Sequence, residues 1–130
     1  MLTTLLKAKI HRATVTFTDV DYPGSVTVDP LLLREAGLLV NEKVLIADCE
    51  NGNRFETYII PGEPGKGEIG INGAAARLTA VGNKVILLAF GQFDEHELDG
   101  HESRVVLVDD ANRHTETLRH GTAVPEAAAT

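Results

Sequence analysis

The amino-acid sequence predicts a mainly β domain in which six or seven short strands form a small closed barrel and helices are few. Three observations indicate this fold. Short segments rich in β-branched residues alternate with period 2, turn signals such as Asn51-Gly52 separate them, and one segment carries helix start and stop signals. A chain of 130 residues has room for one core, so a single domain over residues 1–130 is expected.

The first strand is predicted over residues 7–17, where β-branched residues are frequent. Its period-2 geometry would place five side chains on one face, namely Lys9, His11, Ala13, Val15 and Phe17. The strand is expected to stop at DVDYPGS, where Pro23 and Gly24 supply turn chemistry. A second short strand then follows over Ser25–Val28.

A short helix is predicted over Pro30–Ala36. Asp29 occupies the position of an N-cap, Pro30 that of a first helical residue, and Gly37 that of the residue at which the chain leaves the helix. These three signals agree with one another, so they fix both ends of the helix.

A hairpin is predicted next, with KVLIADC and RFETYII as its strands and ENGN as its turn. In the second strand one face would hold Arg54, Glu56 and Tyr58, and the other face Phe55, Thr57 and Ile59. Further along, EIGI, KVILLAF and the VVLV run at 105–108 read as strands, and the alanines of NGAAARL as one helical turn. Residues from about 110 to 130 are expected to form a flexible tail.

Composition excludes several classes of function. The formal charge of -7 opposes binding to the phosphates of nucleic acid, and no apolar stretch approaches the length of a membrane span or a signal peptide. We therefore expect a soluble cytoplasmic protein with no nucleic-acid or membrane partner. The single cysteine, Cys49, has no internal disulfide partner, and the five histidines lack metal-ligand spacing, so no metal site is predicted.

The Gly24-Ser25 pair is the feature that physical reasoning singles out, because a glycine before serine permits a strained turn in which the hydroxyl approaches the preceding carbonyl. Taken alone, such a pair is usually only a turn. Three segments give it more weight: KAKIHRATVTFTDVDYPGSVTVD, ENGNRFETYII and INGAAARL. In their order and spacing they resemble blocks of the aspartate 1-decarboxylase family, over about the first ninety residues.

The resemblance implies a six-stranded double-psi β-barrel, a homotetramer with active sites between neighbouring subunits, and autocatalytic cleavage between Gly24 and Ser25. Cleavage would yield a β chain, residues 1–24, and an α chain, residues 25–130. In the implied reaction Ser25 Oγ attacks the Gly24 carbonyl, the resulting ester undergoes β-elimination, and loss of ammonia leaves a covalent pyruvoyl cofactor. Thr57 matches the residue that would stabilise the oxyanion during this step.

The resemblance also implies the second reaction, pyruvoyl-dependent decarboxylation of L-aspartate to β-alanine and carbon dioxide for pantothenate synthesis. The substrate amine would form a Schiff base with the pyruvoyl group, and Tyr58 would donate the proton to the carbanion. Arg54 and Lys9 would hold the substrate carboxylates. The family's substrate-contacting loop matches Asn72, Gly73, Ala74 and Ala75.

Plainer interpretations of the same residues remain open. Thr57 and Tyr58 can be ordinary strand residues, Lys9 and Arg54 solvated cations, and the NGAA run a tight turn. For His11, which also matches a family position, a structural hydrogen bond is expected.

Two alternatives to the leading function stay open at this point. The same fold could decarboxylate another acidic amino acid, such as glutamate, or the chain could be a non-enzymatic small β-barrel that binds a partner. The sequence also leaves open whether cleavage needs a maturation partner.

Overall fold

The computed structural model describes residues 1–127, and within that range most of the regular secondary structure is β-strand. The elements, in chain order, are β1 (Thr3–Thr14), β2 (Phe17–Asp19), β3 (Ser25–Val28), α1 (Pro30–Ala36), β4 (Lys43–Asp48), β5 (Arg54–Pro61), β6 (Ile69–Asn72), the 3-10 helix η1 (Gly73–Leu78), β7 (Lys84–Phe93), β8 (Ser103–Val108) and β9 (His114–His120). The predicted mainly β fold with few short helices is confirmed. No helix in this range is long and apolar enough to cross a membrane.

The strands form one mixed sheet in the order β2-β6-β3-β5-β4-β7-β1-β8-β9. Its hydrogen bonds do not close into a ring, which qualifies the expectation of a closed barrel. The ring is completed by the chain itself, because β2 follows β1 after only Val15 and Thr16. Thr16 N donates to Ile69 O at 2.8 Å at this junction, beside the parallel pair of β2 and β6. Because β1 and β2 together occupy one position, the ring has six strand positions. Strands β8 and β9 extend the sheet beyond the ring.

The first strand differs from its prediction because it contains a bulge. Arg12 has φ 58, and the register with β7 shifts between Ile10 and Ala13. One extra residue reverses which side chains face inward. Lys9 and His11 therefore lie on the outer face, whereas Ala13 and Val15 are buried in the core. The prediction that these residues share one face is wrong.

The core lies inside the ring and consists mainly of aliphatic side chains that are fully buried. The largest of them are Ile10, Leu32, Ile46, Ile59, Ile69, Ile71 and Leu87. Burying each such side chain contributes roughly 1.5–3 kcal/mol relative to leaving it in water. Because β3 and β6 alternate, their aliphatic residues fill the core and their intervening residues face outward.

Helix α1 has the predicted bounds and caps. The Asp29 side chain accepts a hydrogen bond from Leu31 N at 2.9 Å, and Gly37, with φ 70, ends the helix in the left-handed conformation. Its inner face buries Leu32, Leu33 and Ala36 against the barrel.

The C-terminal region is more ordered than the sequence predicts. A flexible tail over residues 110–130 is wrong for His114–His120, which form β9 and pair antiparallel with β8. The turn between these strands is held by Asn112, which is 2% exposed and whose Nδ2 donates at 2.8 Å to the carbonyl oxygens of Thr14 and Gly67. Residues 121–127 have no regular structure, and the last three of the predicted tail lie outside the described residues.

Candidate active site

The turn before β3 places Ser25 where the sequence predicts the reactive serine. Asp19 Oδ1 accepts hydrogen bonds from Asp21 N at 3.1 Å and Tyr22 N at 3.3 Å, so the turn is held from its first residue. Ser25 is only 2% exposed, and its Oγ donates to Pro23 O at 3.3 Å. A buried hydroxyl beside a glycine carbonyl is thus fixed at the start of a strand.

The Asn72 side chain lies directly against this serine. Ser25 and Asn72 are register partners in the antiparallel ladder of β3 and β6. Asn72 Nδ2 donates to Ser25 Oγ at 2.9 Å and to Thr27 Oγ1 at 3.1 Å. All three side chains lie on the outer face of the ring and are at most 6% exposed. They form a small polar cluster that is almost free of bulk water.

Gly73 allows the helix η1 to begin close to the turn that contains Gly24. Its φ is 77, and a Cβ there would lie 2.6 Å from Gly24 Cα and 2.8 Å from Gly24 N. Only glycine fits both the backbone conformation and this approach. Ala74 and Ala75 follow in η1, where Ala74 is exposed and Ala75 packs against the core.

The parallel pairing of β3 and β5 brings two more predicted residues to the turn. Val26 pairs with Ile59, so Ser25 and Tyr58 are the residues that directly precede this pair on the two strands. Neighbouring strands lie about 4.8 Å apart, so these positions are adjacent. Tyr58 therefore lies on the strand beside Ser25, and Thr57 is one residue before it on the same strand.

Thr57 and Tyr58 face opposite sides of β5. The ladder with β4 runs without a register shift, so Thr57 lies inward opposite the core residue Val44, and Tyr58 lies outward with 41% of its surface exposed. Among residues 1–127 the Thr57 hydroxyl has no hydrogen-bond partner.

The two predicted carboxylate-binding cations are not gathered around Ser25 within one chain. Arg54 is on the outer face of β5, four residues and about 13 Å from Tyr58. Lys9 is on β1, which β7, β4 and β5 separate from β3 in the sheet. Three strand spacings, roughly 14 Å, already separate Lys9 from the β5 position of Glu56. In the part of the chain that the structure describes, neither cation forms an ion pair.

His11 lies beside Lys9 in a groove of about 490 Å³ between β1, β8 and β9. Its Nδ1 is buried and has no hydrogen-bond partner among residues 1–127, so the structural hydrogen bond expected for it is not found at this atom. Burial, with the charges of Lys9 and Arg12, lowers the pKa of the imidazole below its usual value. The neutral form is therefore favoured.

Two residues that sequence reasoning did not assign to the site support it. Thr27 accepts a hydrogen bond from the same Asn72 amide as Ser25. In the sequence, the alternation of polar Ser25 and Thr27 with Val26 and Val28 indicates that the two polar side chains share a face. The carboxylate of Asp29, predicted only as a helix cap, also accepts hydrogen bonds from Gly65 N and Gly67 N. That loop, residues 62–68, forms one wall of a groove of about 470 Å³ beside Thr27 and Asn72.

Comparison with known proteins assigns the chain to a family. A sequence model described as aspartate decarboxylase matches residues 1–115. The aspartate 1-decarboxylase of Lactiplantibacillus plantarum is 51% identical over 120 residues, which are 92% of this chain and 92% of that protein. Proteins of the same name from Acetivibrio thermocellus and Listeria monocytogenes are 50% and 49% identical over 87% and 86% of this chain, and 90% and 88% of their own lengths. With likeness over nearly its whole length, the chain belongs to the aspartate decarboxylase family.

Proposed function

We propose that this chain is a precursor that cleaves itself between Gly24 and Ser25 and then decarboxylates L-aspartate to β-alanine and carbon dioxide, a step that supplies pantothenate synthesis. The observation that carries the proposal is the buried Ser25 hydroxyl, which follows Gly24 and accepts a hydrogen bond from Asn72 at 2.9 Å. Membership of the family favours this enzyme over a non-enzymatic binding module.

The bonds that change in self-cleavage belong to Gly24, Ser25 and one water. Ser25 Oγ is four bonds from the Gly24 carbonyl carbon, so its attack closes a five-membered ring, and the Ser25 nitrogen leaves as an amine with the proton from Oγ. Thr57, two residues before Ile59 on the strand that pairs with β3, would stabilise the oxyanion. The ester then loses the Ser25 Cα proton, and Oγ departs with the Gly24 carboxylate. Water replaces the amino group of the remaining dehydroalanine and releases ammonia.

Position 25 fits the pyruvoyl group that this sequence of steps produces. The site is almost closed to water, and the Asn72 amide offers a hydrogen-bond donor to an oxygen at that position. A pyruvoyl group at position 25 would supply a ketone that condenses with the substrate amine, and its conjugated carbonyl would accept the electron pair released when carbon dioxide leaves. Tyr58, on the outer face beside position 25, would hold a phenolic proton for the substrate carbon. Arg54, four residues earlier on the same face, would bind a substrate carboxylate through its planar fork.

The position of Lys9 supports a site shared between subunits of a homotetramer. Within one chain Lys9 lies several strands from Ser25, and the outer sheet surface between them combines apolar side chains with the Lys43–Glu56 ion pair. Leu45, Leu88 and Phe90 line a groove on that surface, and Phe90 is 50% exposed. A neighbouring subunit that covers this surface would bury it and bring a second cation to the substrate.

Intact mass under denaturing conditions tests the covalent step. We expect one chain that ends at Gly24 and another that starts at position 25 and is lighter than a serine-initiated chain by one ammonia. Ser25→Ala should stay full length and inactive, whereas Ser103→Ala, which changes a serine at a similar depth on β8, should cleave normally. Parallel turnover with aspartate and glutamate then separates the two substrates.

One result would overturn the proposal. If the unaltered chain keeps a single full-length mass after prolonged warming, and also after incubation with an extract of its own cells as a source of any maturation partner, it does not form its cofactor. Turnover by Ser25→Ala would contradict the role of this serine.

A further inference from the structure

We infer that Thr27 is a positioning residue for self-cleavage, because it fixes the Asn72 amide with an N–H directed at Ser25 Oγ, the atom that departs in the elimination. This inference rests on the proposed function. It adds a residue outside the predicted site and assigns it to one step of the cleavage.

The nitrogen of the Asn72 amide, and not its oxygen, faces the two hydroxyls of the cluster. Asn72 Nδ2 has two hydrogens, and both are used, one at Ser25 Oγ and one at Thr27 Oγ1, at 2.9 and 3.1 Å. Ser25 and Thr27 are two residues apart on β3, so their side chains share a face and the amide of Asn72 bridges them from β6. The three side chains are at most 6% exposed, and only the groove of about 470 Å³ beside Thr27 and Asn72 offers water to replace a lost partner.

Thr27 Oγ1 gives the second N–H of Asn72 its acceptor, and this supports the arrangement with the amide nitrogen at the serine. Without an oxygen at position 27, the second N–H of Asn72 has no partner there, and rotation of the amide by half a turn becomes favourable. The amide oxygen would then face Ser25 Oγ in place of the N–H.

That exchange affects the two steps of cleavage differently. During elimination the bond from Ser25 Cβ to Oγ breaks, and negative charge grows on the departing Gly24 carboxylate, of which Oγ is part. An N–H that donates to Oγ stabilises that charge, whereas an amide oxygen opposes it. During the earlier attack Oγ donates electrons, so a hydrogen bond to it gives no comparable help. The inference therefore predicts a specific defect in elimination.

The packing around Thr27 allows a matched pair of variants. Its Cγ2 methyl lies close to Gly62, where an added Cβ would be only 3.1 Å away. Thr27→Val keeps the branched shape and removes the oxygen that accepts the hydrogen bond. Thr27→Ser keeps the oxygen and removes the methyl. Thr27→Ala lacks both and is the second variant to use if valine disturbs folding.

The experiment follows freshly purified chains by intact mass, with and without hydroxylamine. Hydroxylamine cleaves the ester and leaves a serine-initiated fragment, which differs in mass from the pyruvoyl fragment made by elimination. We expect Thr27→Val and Thr27→Ala to form the pyruvoyl fragment about tenfold more slowly, as for loss of one hydrogen bond to a charged group, while the hydroxylamine-sensitive ester accumulates. Thr27→Ser should stay close to the unaltered chain, as should Thr3→Val, an exposed control on β1.

Three outcomes would overturn the inference. Normal elimination in Thr27→Val or Thr27→Ala would show that the oxygen is not needed. Equal defects in the serine and valine variants would assign the effect to packing, and a lower unfolding temperature with an unchanged ratio of ester to pyruvoyl fragment would assign it to stability. If the unaltered chain itself never cleaves, the proposed function fails and this inference with it, which distinguishes that case from the other three.

Discussion

Replacing Asp29 by asparagine tests how firmly the 62–68 loop is attached to the barrel. The Asp29 carboxylate is 3% exposed. Oδ1 accepts from Leu31 N at 2.9 Å and Gly65 N at 3.1 Å, and Oδ2 accepts from Gly65 N at 3.0 Å and Gly67 N at 2.8 Å. One acidic side chain thus serves both the start of α1 and two backbone donors of the loop.

The expected loss of stability follows from those contacts. Asparagine has one side-chain oxygen, so its NH2 group must face either Leu31 N or Gly67 N, and that buried donor loses its partner. A buried donor without a partner, together with loss of a charge-assisted bond, costs about 2–3 kcal/mol. Asp110→Asn is the control, because that carboxylate is fully exposed and only pairs with Lys84, and we expect no measurable change.

Acid should remove the difference in unfolding free energy between Asp29→Asn and the unaltered chain. Burial raises the pKa of Asp29, but the hydrogen bonds from Leu31, Gly67 and Gly65 and the charge of Arg113 outweigh it, so the net pKa is lowered. A lowered pKa stabilises the fold fully above the ordinary carboxyl pKa, and the contribution is lost as pH falls through the folded value. The deficit of Asp29→Asn should therefore be full at neutral pH and shrink below about pH 4.

Urea unfolding at one fixed protein concentration measures this, in a Ser25→Ala background that keeps the chain in one piece. Equal unfolding free energies at neutral pH, with and without the Asp29→Asn change, would refute the reasoning. A deficit that stays constant into acid would show that the charge is not its source.

Two further predictions concern the cleavage turn and the proton donor. Gly73→Ala should slow self-cleavage far more than Gly82→Ala, as followed by intact mass, because both glycines have positive φ but only at Gly73 would a Cβ meet Gly24, and nothing lies within 4 Å at Gly82. Equal rates in the two variants would mean that contact with Gly24 does not matter. Tyr58→Phe should still cleave but lose decarboxylation by about a hundredfold, since only the phenolic proton is removed. Normal turnover of aspartate by that variant would assign the proton donor elsewhere.

Local signals predicted the elements that depend on a few neighbouring residues. Helix α1 has the bounds that its caps predict, and β3 has its predicted bounds as well. The hairpin of β4 and β5 also forms around Asn51-Gly52, with Arg54 and Tyr58 on the outer face. In each case turn and cap chemistry act within a few residues, so the sequence is sufficient.

The errors arose where tertiary contacts decide the structure. Arg12 adopts a positive φ without being a glycine, so nothing in the local sequence marks the bulge that turns Lys9 and His11 outward. Strand β9 forms because Asn112 binds the distant carbonyl oxygens of Thr14 and Gly67. The roles of Thr27 and Asp29 likewise depend on segments far along the chain. The Gly24-Ser25 pair stands out locally only as a turn, and its link to Asn72 was predicted from the family resemblance.

The pairing of the N-terminal strands with the rest of the sheet affects how the protein unfolds and refolds after a cut. Residues 1–24 contain β1 and β2, which pair with β7, β8 and β6 of the remaining chain. A cut after Gly24 would leave these ladders intact, so the short fragment would stay bound as a complementing peptide. Unfolding would then release two molecules, and reassembly would become a second-order process that slows on dilution. Once cut, such a barrel could no longer return to its starting state, and its durability would depend on how slowly it opens.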